Sequence, residues 1–181
     1  NPLEVWPDNC LPRTSKEHLK PIRQKWFGVS CCPPNIARTL ASMGQYIYGV
    51  DGESIYVNLF ISNETTVDMG GSEVSVTMET RFPWKMEVDI TLRGVPESGM
   101  KLSVRIPDYA GNFAVRYVGD VGQADGYGPA LVREKGYGII SLTGDVCLHV
   151  TWDAPARFVH SNPLVRADSG KVALVRGPIV Y

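Results

Sequence analysis

The sequence lacks any excess of charge: 18 basic residues stand against 19 acidic ones, a formal net charge of -1 in 181 residues. So balanced a chain carries no electrostatic footprint for nucleic acid or an anionic membrane surface, and neither is expected as a partner. It also lacks an apolar run long enough to span a bilayer, and its opening NPLEVWPDNC has none of the charged and apolar regions of a signal peptide. The expectation is a soluble, by default cytoplasmic, protein. Cysteine is scarce. Cys10, Cys31, Cys32 and Cys147 are too few for a disulfide scaffold at this length, which fits a reducing compartment. Internal repeats and low-complexity tracts are missing as well. The chain starts at Asn1 and stops on the apolar RGPIVY, and we read it as a segment of a longer polypeptide.

What is present is enough for a core: 44% of the residues are hydrophobic and 20% charged. Residues 1 to 30 are an irregular lead-in, because Pro2, Pro7, Pro12 and Pro21 are spaced so that no long helix can form. From Pro33 the pattern changes. Two prolines suit the first turn of a helix, and Ile36, Ala37, Leu40 and Met43 recur at helical spacing before Gly44 weakens it, which predicts a short helix of about three turns.

After Gly49 the period becomes two. In KMEVDITLR, Met86, Val88, Ile90 and Leu92 point one way and the intervening charged and polar residues the other, the mark of a half-buried strand. The same alternation joins Ile55, Val57, Leu59 and Ile61; Val74, Val76 and Met78; Leu102, Val104 and Ile106; and Val146, Leu148, Val150 and Trp152. The fold class is therefore mainly β, an antiparallel β-sandwich preceded by a short helical and irregular segment. We place the division at residues 1 to 48 and 49 to 181, the sandwich being truncated at its C-terminal end. ADGYG and REKGYG are turn-rich, and the glycines from Gly119 to Gly138 suggest a mobile hairpin or loop.

The chemistry concentrates in GVSCCPPNIAR, residues 28 to 38. Adjacent cysteines make a poor disulfide, since bridging them strains the ring. Just before a helix start, a thiolate is stabilised by the helix dipole and free N–H groups, which lowers the thiol pKa and raises nucleophilicity. Thiolates are also preferred zinc ligands. Nucleophile and metal ligand are thus two readings of Cys31 and Cys32, and a pair of small buried apolar residues is the third. Cys10 and His18 lie upstream as further donors for a self-contained structural zinc module, although the spacing matches no standard site.

Several longer stretches then carry a resemblance: NPLEVWP, RQKWFGVSCCPPNIARTLASMGQYIY, the RIP of Arg105 to Pro107, and GKVALVRGPIVY. Together they resemble the β-L-arabinofuranosidase family, glycoside hydrolase family 127. The resemblance implies that residues 1 to 48 end an (α/α)6 catalytic barrel and that a sandwich follows. It implies that Cys31 is the nucleophile, forming a thioglycosyl intermediate with overall retention, and that Cys31 and Cys32 both ligate Zn2+. The family's other zinc ligands, a glutamate and a cysteine, and its acid/base glutamate come from barrel segments that nothing in this sequence matches. The isolated chain is therefore expected to be inactive and to hold zinc weakly or not at all. The implied substrate is an arabinose-containing oligosaccharide or glycoside, and the sandwich is a candidate homodimer surface. The alternative is a non-catalytic sandwich, for interaction or carbohydrate binding, with a structural cysteine pair.

Other residues carry plainer expectations. His18 reads as an exposed loop histidine, and Cys147 and His149 fall on the outward phase of their strand. His160 has no companion ligand nearby. Trp26, Phe27, Trp84 and Trp152 are read first as core residues and only second as platforms for sugar rings, with Trp26 placed to wall the thiol site. Asp51 and Glu53, in VDGES, read as a solvated turn rather than a glycosidase carboxylate pair.

Overall fold

The computed structural model describes residues 32–119 and 128–181, and the chain divides into two compact units at Ser42 and Met43. In the first unit the described part is one helix, α1, Cys32–Ser42. Pro33 and Pro34 sit in its first turn, where a missing N–H costs nothing. It ends at Ser42, whose hydroxyl bonds back to the Thr39 carbonyl, just before Met43 and Gly44.

The second unit opens with a single turn, α2, Gly44–Ile47, and continues in strands: β1 Tyr48–Val50, β2 Ser54–Val57, β3 Asn63–Asp68, β4 Glu73–Thr80, β5 Glu87–Arg93, β6 Met100–Arg105 and β7 Gly111–Tyr117. Six more follow: β8 Val132–Glu134, β9 Tyr137–Leu142, β10 Val146–Asp153, β11 Arg157–His160, β12 Val172–Arg176 and β13 Ile179–Val180. They make a sandwich of two five-stranded sheets, ordered β1-β2-β6-β9-β8 and β3-β4-β5-β10-β7, with a separate three-stranded sheet β11-β12-β13. Every pairing is antiparallel except β2 with β6, which run parallel with Ile55 opposite Leu102.

Period-two alternation builds the core, since one face of each sheet is apolar and must be covered. Val88, Ile90 and Leu92 of β5 and Leu148 and Val150 of β10 are fully buried, as are Val74 and Val76 of β4. From the other sheet Ile55, Val57, Leu102, Val104 and Ile140 join them in one continuous cluster. Phe60, Phe82, Phe113 and Trp152 close one part of it, with ring centroids 4.9–6.1 Å apart.

One expectation changes. The alternation assigned to Leu59 and Ile61 does not continue, because the N–H groups of Asn58 and Leu59 both turn to the Ile47 carbonyl and the strand stops at Val57. Phe60 takes the buried position and Ile61 is exposed. Part of the glycine-rich stretch is a hairpin, as expected: β8 and β9 are joined by Lys135 and Gly136, both at positive φ, the two-residue turn that matches strand twist. Residues 120–127 of that stretch lie outside the described residues.

Candidate functional site

α1 begins at Cys32, the second residue of the thiol pair. Its first turn holds no acidic side chain and its last turn no basic one, so the helix supplies no carboxylate of its own to the positive end of the dipole. Pro33 and Pro34 remove two donors that a helix start ordinarily presents, so stabilisation of a thiolate here rests more on the dipole than on N–H bonds. The Asn35 side-chain oxygen accepts from the Arg38 guanidinium, and the Thr39 hydroxyl donates to the Asn35 carbonyl at 2.9 Å. These bonds tie the first turn to the second. Ile36 and Leu40, the apolar stripe of the helix, are 61% and 67% exposed.

Cys31 lies outside the described residues, as do Cys10, His18, Trp26 and Phe27. Among the described residues no group of three or more histidine, cysteine or acidic side chains is placed to hold a metal. The thiol pair nevertheless suits zinc by ligand chemistry, being soft, adjacent donors beside a dipole that favours their deprotonated form.

The remaining candidates fall into place on the sandwich. Cys147 and His149 lie on the outward face of β10, partly exposed. The Thr91 hydroxyl donates to Cys147 Sγ at 3.4 Å, and His149 Nδ1 pairs with Asp89 Oδ1 at 2.6 Å. Register sets Glu79, Asp89, His149 and Arg116 in one row across β4, β5, β10 and β7. His160 is exposed on β11. Asp51 is a turn residue: its Oδ1 accepts from the N–H groups of Glu53 and Ser54 at 3.0 and 2.8 Å, and its Oδ2 from the Tyr56 hydroxyl at 2.8 Å. The Glu53 N–H first, and then the Tyr56 hydroxyl, hold the Asp51 carboxyl below its ordinary range. Glu53 pairs with Lys101 at 2.9 Å, so both carboxylates are engaged in the turn.

The tryptophans divide. Trp152 is core, 4% exposed, as expected. Trp84 is not: it is 69% exposed, because it stands in the turn between β4 and β5 where the N–H groups of Trp84 and Lys85 both bond the Arg81 carbonyl. Phe82, two residues earlier, fills the core in its place. The signal for this was its position beside Pro83, outside any alternating run.

Comparison with known proteins bears on both parts of the chain. Residues 54–134 match the family model described as β-L-arabinofuranosidase, GH127 middle domain, and residues 156–181 match the glycoside hydrolase family 127 C-terminal domain. A non-reducing end β-L-arabinofuranosidase of Bifidobacterium longum is 32% identical over 190 residues, covering 100% of this chain and 27% of that protein. The crystal structure of a GH127 β-L-arabinofuranosidase from Geobacillus stearothermophilus T6 superposes with a TM-score of 0.80 at 37% identity, over 99% of this chain and 28% of that one. A second GH127 β-arabinofuranosidase structure gives 0.69 at 29% identity over 86% of this chain and 26% of its own. The chain thus spans little more than a quarter of the length of these relatives.

Proposed function

Because the chain belongs to glycoside hydrolase family 127, we propose that it is part of a retaining glycosidase that releases β-L-arabinofuranose or a related sugar, with Cys31 as nucleophile. The observation that supports this reading is the start of α1 at Cys32, a helix without acidic side chains in its first turn, whose positive end favours a thiolate next to it in the sequence. The Cys31 thiolate attacks the anomeric carbon; a C–S bond forms as the bond to the leaving oxygen breaks, and that oxygen takes a proton from an acid outside this chain. Water then displaces the sulfur at the same carbon, and two inversions restore the starting configuration. Cys31 and Cys32 would hold zinc, which when bound keeps the thiols deprotonated at neutral pH. Three of the similar proteins are named as arabinofuranosidases, which supports an arabinose-containing glycoside as substrate. A reducing compartment, the cytoplasm, suits a mechanism that needs a free thiolate.

The test is substitution in the enzyme that contains this segment. Cys31→Ser should lower turnover by about a thousandfold or more while leaving the sandwich folded. Turnover within a few-fold of the parent would remove Cys31 from the chemistry. Alkylation of the chain itself gives an independent readout: iodoacetamide should modify Cys31 well before the partly exposed Cys147, and equal rates would contradict an activated thiol.

A further inference from the structure

The sandwich carries an open cleft of about 680 Å3 bordered by Trp84, Glu87, Thr151, Trp152, Asp153 and Arg176. It lies where β10 carries an irregularity, since the register with β7 shifts between Thr151 and Asp153. Such bulges re-aim side chains and recur beside binding sites.

One wall is the exposed indole of Trp84, and its backbone is fixed from three directions. Phe82 is anchored in the core against Phe60 and Trp152, with centroids at 5.7 and 5.8 Å. The Thr80 hydroxyl accepts from the Phe82 N–H at 2.9 Å and donates to the Glu87 carbonyl at 2.7 Å, closing the turn. From β12, Arg176 Nη1 donates to the Trp84 carbonyl at 3.2 Å. The following turn is pressed onto the apolar floor, where a Cβ at Gly177 would lie 2.6 Å from Met86 Cε. A turn held this firmly fixes the point from which the indole projects, so less backbone freedom is lost when a ligand settles there.

The rim is polar and of both signs. Lys85 and Glu87 pair at 3.2 Å, Asp153 Oδ2 accepts from Asn112 Nδ2 at 2.6 Å, and Arg176 completes the edge. The buried centres of protein–protein interfaces are depleted in charge. Four charged groups around one indole suit instead a small ligand with one apolar face and a periphery of hydroxyls. That is the description of a sugar ring, whose C–H face stacks on an aromatic while its hydroxyls exchange hydrogen bonds with carboxylates and guanidinium.

We propose that this cleft binds a sugar residue of an arabinose-containing glycoside, stacked on Trp84 and hydrogen-bonded by Glu87, Asp153 and Arg176. The proposal does not depend on Cys31, and its test uses no turnover. The chain is labelled with 15N and titrated with a β-L-arabinofuranosyl disaccharide while the indole N–H resonances are followed. The Trp84 indole should shift saturably with a dissociation constant in the millimolar range, as for one stacked ring. Trp84→Ala should weaken binding about tenfold or more, and Arg176→Ala, which removes one rim donor and one of the three supports of the Trp84 backbone but keeps the indole itself, should weaken it by a smaller factor. Overturning results are a Trp84 resonance that does not move in a large excess of sugar, or affinity unchanged in Trp84→Ala. Because Trp84 is exposed, that variant should keep the parent's circular dichroism. If it does not, protection of Trp84 from N-bromosuccinimide by the disaccharide, in the parent chain, decides the matter in the same way.

Discussion

Leu148 and His149 are neighbours on β10 that face opposite ways, and replacing each in turn by alanine tests the register on which the sandwich rests. Leu148 is fully buried and lies opposite Ile90 on one side and Tyr117 on the other. Ladders on both flanks stop β10 from collapsing into the space a lost side chain leaves. The cost of Leu148→Ala therefore belongs in the upper part of the range for such truncations, about 3–4 kcal/mol. At about 2–4 °C per kcal/mol for a chain of this size, the melting temperature should fall by about 10 °C. His149→Ala removes a pair with Asp89 whose side chains are 32% and 49% exposed, worth about 0.2–1 kcal/mol. Urea unfolding followed by far-ultraviolet circular dichroism measures both. A slip of one residue in β10 would exchange the two faces, so equal costs, or a greater cost for His149→Ala, would refute the register and the core built on it.

Two further outcomes follow from local geometry. The Asp51 carboxyl is held below its ordinary 3.8, chiefly by the Glu53 N–H and then the Tyr56 hydroxyl. Its contribution to stability is therefore fully present above that value and is lost as the pH falls through the lower folded one. Asp51→Asn should destabilise the chain at neutral pH, and the difference from the parent should vanish in strong acid. The same substitution should bring the Tyr56 hydroxyl, raised first by its bond to Asp51, back toward its ordinary range in a spectrophotometric titration. Among the glycines, Gly94→Ala should cost more than Gly177→Ala in chemical denaturation. Both have positive φ, costing about 1–2 kcal/mol for a residue with a Cβ. At Gly94, however, the new atom meets the Glu73 backbone oxygen at 2.7 Å, whereas at Gly177 it meets the movable end of Met86. The reverse order would show that the backbone around Gly94 yields.

Period two made the central strands legible because their two faces differ so sharply. Val88, Ile90 and Leu92 against Asp89 and Thr91, or Leu148 and Val150 against His149, leave one choice of inward face. The antiparallel pairing read from one-sided alternation holds for all these pairs but one, and nothing in the pattern marks β2 and β6 as the parallel exception, which shows only in three dimensions. The alternating pattern also ran past the true end of β2, since nothing local to Leu59 and Ile61 announces that Asn58 and Leu59 will bond to Ile47. β3, with Asn63, Glu64, Thr65 and Thr66, is too polar to stand out. β11 is exposed at every residue and carries no inward face from which a pattern could be read. The Trp84 cleft escaped for another reason, as it is assembled from a turn, a bulge and β12, three places far apart in the sequence.

The same contrast bears on the thiol pair. The sandwich carries its own stability, with fully buried residues drawn from both sheets. α1 has only 11 residues, and its apolar stripe at Ile36 and Leu40 is exposed. A helix so short is marginal in water unless its apolar face is covered. A nucleophile, by contrast, must be held within a few tenths of an ångström of its working position. If Cys31 is the nucleophile proposed above, its competence is coupled to whatever covers Ile36 and Leu40, because covering them fixes the helix that starts at Cys32. Substitutions at these two positions should then act on the chemistry without touching it, lowering turnover by loosening α1 while leaving the stability of the sandwich unchanged.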